Sequence, residues 1–200
     1  EPPAALALWE GSGVTIWAAK QSPYFHYRHL AALFGLPLSK VRVIQPFIGG
    51  GFGGTKNDSL PGDFCAVMLS KMTGRPVKFA YSMEEVLSTC RRRHNMTVDN
   101  KMGMKRDGTI TAMQSKVIAD GGAFTAIGPL TMYLTGVMST LPYKLPNFKH
   151  DAYRIFTNNP ASAAMRGHGV THTRFAAEIQ MDMMAEELGL DPLEVRLKNA

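Results

Sequence analysis

The chain is poor in cysteine and in charge. Two cysteines in 200 residues, Cys65 and Cys90, exclude a disulfide framework and an all-cysteine zinc or iron–sulfur site. Charged residues make up 19% of the sequence, below the usual quarter of a globular chain. No apolar run reaches the length of a membrane span. No charged segment leads into an apolar stretch as in a secretory signal. Internal repeats, low-complexity tracts and Pro/Ser-rich linkers are missing too, which excludes solenoid and linker architectures.

What is present favours a packed domain. The chain is 45% hydrophobic, enough for a sizeable core and too much for disorder. Its length suits one domain or two small ones. It opens on Glu1 without a Met and stops at Ala200 just after a helical pattern, so it is expected to be a piece of something larger.

Lys plus Arg is 22 against 16 Asp plus Glu, a net charge of +6, which favours anionic partners by long-range attraction. The one dense cluster is Arg91-Arg92-Arg93-His94. It reads as a phosphate or nucleic-acid contact, or more plainly as a solvated turn or a docking surface for an acidic subunit. Nucleic-acid modules interleave aromatics with basic residues, and none flanks this cluster. No nucleic-acid partner is expected.

Residue patterns give a mixed α and β chain. Strands are predicted over Val14–Lys20, Val41–Ile44 and Val77–Tyr81, and helices over Tyr24–Leu36, Leu60–Gly74 and Met83–Cys90. This alternation over 14–81 suggests parallel pairing. Beyond it, Met96–Lys105 and Thr109–Ile118 form a hairpin around Asp107-Gly108. A helix over Leu130–Met138, a strand over Phe148–Thr157 and a long helix over Thr171–Leu188 follow, the last with Phe175, Ile179 and Met183 at i, i+4 spacing. Asp191-Pro192-Leu193-Glu194 opens a final helix with an N-cap, a proline at the first position and a capping-box glutamate. The division expected is strand–helix repeats over 1–90 and hairpin, strands and C-terminal helices over 91–200.

Two segments carry chemistry. Gly49 to Gly54 holds five glycines in six residues, between a strand and a helix. Such a loop lets backbone N–H groups approach an anion, with help from the helix N-terminus. Gly49, Gly51 and Gly54 match G-x-G-x-x-G, but the acidic residue of a dinucleotide site comes roughly ten positions late. Thr55-Lys56 reverses the order a phosphate loop needs. Nucleotide binding, another anionic cofactor and a loop merely packed under a neighbouring domain all stay open. The second segment is Ala164-Met165-Arg166-Gly167-His168-Gly169. Arg166 offers a planar fork to a phosphate or carbonyl, or caps carbonyls within its own turn. His168 and His172 have no Cys, Asp or Glu within a turn to complete a zinc site, so His168 reads better as a pocket-lining donor.

Together these motifs resemble the molybdenum hydroxylase family, whose members include xanthine dehydrogenase, aldehyde oxidase and 4-hydroxybenzoyl-CoA reductase. The match is to the molybdopterin-binding large subunit, and it runs the whole length of the chain. It rests on Glu1-Pro2 with Ala4-Ala5-Leu6-Ala7, on Trp17-Ala18-Ala19-Lys20-Gln21, on Gln45-Pro46-Phe47-Ile48 running into the glycine loop, on Ala164 to Gly169, and on Gln180 to Gly189 with Asp191 to Arg196. Met-Arg-Gly-His-Gly, with Tyr133-Leu134-Thr135-Gly136 and Lys149 to Arg154, looks closest to the 4-hydroxybenzoyl-CoA reductase branch.

The resemblance implies an α+β molybdopterin-binding region of a xanthine dehydrogenase-like catalytic subunit. It implies a cytoplasmic oxidoreductase with a Mo-pterin, in a cytosine dinucleotide form, and iron–sulfur and FAD subunits as partners. The cofactor would be held by Gln21, Gly51, Phe52, Gly53, Arg166 and Gly167, with Gln21, Phe52 and Arg166 nearest the molybdenum. Gln21 would hydrogen-bond an oxygen ligand of the metal. Substrate-side positions would be Lys56, Leu134 and His168, where the purine-oxidising pattern has glutamate, arginine and phenylalanine. That departure argues for an aromatic, N-heterocyclic, aldehyde or aryl-CoA substrate rather than xanthine. Alternatives of other classes are a dinucleotide-binding dehydrogenase domain and a non-catalytic interaction domain. The family's catalytic glutamate lies beyond this chain, so no catalytic residue is expected within it. The 200 residues alone are therefore expected neither to turn over nor to hold the cofactor tightly. Stoichiometric molybdopterin extracted from the isolated chain is the result that sinks this expectation.

Overall fold

The computed structural model describes residues 2–53 and 59–200. Its contacts divide the chain into two compact units, Glu1–Arg92 and Arg93–Ala200. Both combine a small sheet with helices, an α+β arrangement.

The first unit is built on a four-stranded sheet of order β3-β2-β1-β4, where β1 is Ala4–Glu10, β2 Gly13–Ala18, β3 Val41–Ile44 and β4 Val77–Ala80. Inward residues alternate along the central strands, Ala5 and Ala7 on β1 and Val14, Ile16 and Ala18 on β2. Helix α1 (Pro23–Phe34) adds Leu30 and Ala31 to this core, and helix α2 (Pro61–Thr73) adds Ala66 and Val67. Helix α3 (Met83–Thr89) starts on a capping box between Ser82 and Glu85.

Within this sheet, and among the described residues, parallel pairing holds for β2 with β3 only. Strand β4 runs antiparallel to β1, and β1 itself forms a hairpin with β2. Strand β1 escapes the sequence reading because its inward positions are alanines, which give a weak β pattern. A mixed sheet with an antiparallel centre is not the doubly wound parallel sheet of a dinucleotide-binding domain. Nor does the amide of Leu60, at the α2 N-cap, lie open to a ligand, because it donates to the Asp63 carboxylate at 2.8 Å.

The second unit carries the sheet β5-β6-β7, with β5 Met96–Met104, β6 Ile110–Gly122 and β7 Phe148–Phe156. Strands β5 and β6 form the expected hairpin through Asp107-Gly108. Strands β6 and β7 are parallel, with helix α4 (Gly128–Val137) in the crossover. Helix α5 (Val170–Leu188) packs on β5 and on helix α6 (Pro192–Asn199). Ile110, Met181, Ala185 and Val195 form the core. Asn199 ties α6 to the hairpin: its amide donates to Gly108 O at 2.8 Å and accepts from Ile110 N at 2.8 Å.

The face that α5 buries is not the apolar row of Phe175, Ile179 and Met183, which stays exposed, but Thr173, Ala177, Met181 and Ala185. Small residues let the helix lie close to β5, so proximity outweighs side-chain bulk. Met181→Ala is expected to cost about 2–5 kcal/mol by chemical denaturation of this chain. Phe175→Ala, 68% exposed, is expected to stay within about 0.5 kcal/mol of wild type. Equal effects of the two changes would overturn this assignment of the seam.

Candidate functional site

In the first unit the chain brings Gln21, Gly51, Phe52 and Gly53 together. Gln21 sits in the bend between β2 and α1, and its Oε1 accepts from Gly53 N–H at 2.9 Å. With its oxygen committed, the amide keeps its Nε2 hydrogens as donors. A Cβ on Gly51 would lie 2.6 Å from Gln21 Cδ, so only glycine admits the glutamine there. Phe52 has φ +54 and its ring folds back over Gly50, where a Cβ would fall 2.3 Å from the ring edge. Lys56 and Gly54 lie outside the described residues.

The strand end that carries Gln21 is anchored from within. Lys20 pairs with Asp63 at 2.6 Å, both side chains 3% exposed. Behind them His26 is buried, with Nδ1 at 2.6 Å from Ser59 Oγ, while His29 Nδ1 reaches the same hydroxyl at 3.1 Å. This buried set was not legible in the sequence. A lysine before a glutamine and an aspartate in a first helical turn carry no common signal.

In the second unit the Arg-Gly-His-Gly turn runs through four consecutive left-handed residues. Their φ values are +34 at Arg166, +100 at Gly167, +48 at His168 and +90 at Gly169. The turn packs on two helices. A Cβ on Gly167 would lie 2.6 Å from Thr171 Cγ2 of α5, and one on Gly169 within 2.9 Å of Thr131 and Thr135 of α4. Leu134, half-buried, lies on α4 beside Thr135 in sequence. His168 Nε2 and His172 Nδ1 are buried atoms with no hydrogen-bond partner among the described residues. Burial lowers the pKa of both imidazoles. Among the described residues, no three His, Cys, Asp or Glu gather where they could hold a metal.

The Arg91–His94 cluster is not a solvated turn. Its arginines are half-buried and His94 is buried, with Nε2 accepting from Arg154 Nε at 3.2 Å. Arg93 spans to the Arg166 carbonyl at 2.9 Å and to Thr171 Oγ1. Nothing in the cluster's sequence signals a brace for the distant arginine.

The sequence matches the molybdopterin cofactor-binding domain over residues 1–200. The chain belongs to this family. As a molybdopterin cofactor-binding domain it is 38% identical over 201 residues to the nicotinate dehydrogenase large molybdopterin subunit of Eubacterium barkeri, covering all of this chain and 47% of that protein. It is 37% identical over 191 residues to a putative xanthine dehydrogenase molybdenum-binding subunit of Escherichia coli, covering 96% of this chain and 25% of that one. The aldehyde oxidoreductase structure from Desulfovibrio gigas superposes with a TM-score of 0.91 at 30% identity, over all of this chain and 22% of that one. The chain thus spans less than half the length of these relatives.

Within this domain His26 and His94 are both lowered from 6.5 to about 4, chiefly by burial. Unfolded imidazoles take up protons near 6.5, the buried ones only near 4. Over that interval the unfolded chain binds more protons, so stability falls as pH drops. The urea midpoint is expected to fall between pH 6.5 and 4. His26→Gln should flatten that slope, and an unchanged slope in this variant would count against the buried neutral imidazole.

Proposed function

We propose that this protein is part of the catalytic subunit of a molybdenum-dependent hydroxylase or dehydrogenase. The observation that carries the reading is the Gln21–Gly53 hydrogen bond at 2.9 Å. It fixes the amide with its donor side available beside a loop whose glycine leaves no room for a Cβ. The residues fit a pterin that brings its own metal ligands. What the two motifs offer is amide N–H, backbone N–H and guanidinium, which are donors for oxygen and ring nitrogen, rather than thiolates or carboxylates for a metal.

When bound, the molybdenum centre supplies two-electron redox chemistry at an electron-poor carbon. This chain supplies placement. Gln21 orients a donor toward the ligands of the metal, and Gly51 and Gly53 let the backbone come close to it. Phe52, held at φ +54, covers the loop. Arg166 and Gly167 hold polar atoms of the pterin, with the rigid guanidinium fork suited to two acceptors at once.

The substrate we favour is an electron-poor aromatic or N-heterocycle, such as a pyridine carboxylate. The relative named nicotinate dehydrogenase supports this reading. So does the absence of the purine-oxidising residues at Lys56, Leu134 and His168. A dehydroxylase acting on an aryl-CoA thioester rests on the Met-Arg-Gly-His-Gly pattern and the two segments quoted with it. Electron transfer would pass to iron–sulfur and FAD partners, and the pterin would carry a cytosine dinucleotide.

The test is metal and pterin analysis of the full-length subunit, followed by kinetics on nicotinate, quinoline, xanthine and an aryl-CoA thioester. Molybdenum and pterin are expected in equal amounts, with turnover of the pyridine or quinoline. Gln21→Ala is expected to keep the metal and lose on the order of 100-fold in kcat, as removal of one preorganised donor does. A subunit free of molybdenum, or an undiminished kcat in the variant, overturns the reading.

A further inference from the structure

Four consecutive left-handed residues, two of them carrying side chains, do not persist on local preference alone. Each such non-glycine residue is in a conformation that L side chains disfavour, so the surroundings must over-determine the turn at Arg166–Gly169. Two of the contacts that do this were described above: Gly167 against Thr171, and Gly169 against Thr131 and Thr135. Both are apolar and pass through residues without side chains. Neither holds Arg166 itself.

A polar side chain does reach the backbone of Arg166. The guanidinium of Arg93 donates from Nη2 to the Arg166 carbonyl at 2.9 Å and from Nη1 to Thr171 Oγ1. A single planar fork therefore links the first residue of the left-handed run to the first turn of α5. The base of that fork is fixed as well. The next residue, His94, is 2% exposed and accepts from Arg154, which also donates to Gly121 O at 2.6 Å and Phe124 O at 3.0 Å. The brace thus stands on the β6–α4 connection rather than on a loose loop.

We propose that Arg93 is a positioning residue: it locks the Arg166 backbone in the left-handed conformation and so sets the direction in which the Arg166 guanidinium is offered to the pterin. The proposal rests on the cofactor role assigned to Arg166 above. An arginine is required because two acceptors lie at the two tips of one rigid plane. A lysine can satisfy one at a time.

The test uses the full-length subunit isolated with its cofactor. Pterin and molybdenum retention is followed over time for Arg93→Gln, Arg93→Lys, Arg93→Ala, Arg166→Ala and the double variant Arg93→Gln/Arg166→Ala, with thermal midpoints recorded alongside. Arg93→Gln is expected to release pterin on the order of tenfold faster than wild type, the scale of a lost charged hydrogen bond. Arg93→Lys should recover little, and added guanidinium ion should slow release from Arg93→Ala. The double variant should be no worse than Arg166→Ala, because Arg93 acts through Arg166. Wild-type retention in Arg93→Gln while Arg166→Ala loses the pterin, or additive losses in the double variant, overturns the proposal. If Arg166→Ala itself keeps the pterin, it is the cofactor role of Arg166 that fails. Hydrogen exchange of the amides from Arg166 to Thr171 then decides the brace without reference to cofactor. Faster exchange in Arg93→Gln supports it, and unchanged exchange refutes it. Should Arg93→Gln not fold, Thr171→Val removes one tip of the fork and is read by the same exchange measurement.

Discussion

Left-handed backbone under a residue with a side chain is the constraint around which both units are arranged. Among the described residues, four non-glycine positions have positive φ, and three of them, Phe52, Arg166 and His168, lie in the two family motifs. Such conformations persist only where neighbouring structure fixes them. Part of the polar interior, Arg93 and His94 included, lies against one of these turns. The glycines around them serve close approach: Gly51 to Gln21, Gly167 to Thr171, Gly169 to α4.

The two units solve this differently. In the first, the glycine loop is held by a side-chain amide, and the strand end bearing that amide is held by the Lys20–Asp63 pair at 2.6 Å. A pair buried this deeply gains little net stability, since its desolvation offsets most of the attraction. Its direction is the useful property. Asp63 also accepts from Leu60 N at 2.8 Å, so one carboxylate ties the end of β2 to the start of α2. In the second unit the fixing is done by an arginine fork and two threonine-bearing helices. Steric fit there carries what the ion pair carries in the first.

Much of this could be read in the sequence, and the limits have physical causes. Helices and strands with a strong period, such as α2, β3, the β5–β6 hairpin and α5, came out within a few residues, because local pattern decides them. Strand β1 did not, because its buried positions are alanines. The seam of α5 was hidden for a related reason: Ala177 and Ala185 look less apolar than Phe175 and Ile179, yet allow closer packing. The motif residues Gln21, Gly51 to Gly53 and Arg166 to His168 were visible through the family resemblance. Arg93 was visible only as part of a basic run, because its partner lies 73 residues away and no local rule links the two.

The chemistry of the donor set bears on how the work is divided between protein and cofactor. Side chains that ligate a metal directly must be deprotonated and gathered at fixed distances, and among the described residues the two motifs gather no such group. They present hydrogen-bond donors of three kinds, each rigid: an amide locked by its own oxygen, backbone N–H groups on a loop without Cβ bulk, and a guanidinium on a strained turn. Rigid donors lose little entropy on binding and reorganise little as charge shifts during a reaction. On the proposed reading they also cannot adapt to a differently shaped ligand, so the strain kept at Phe52, Arg166 and His168 would work as a specificity device. A relaxed version of either motif would be more stable and would hold an acceptor-rich pterin less selectively. On the proposed reading, that selectivity is what the left-handed backbone is kept for.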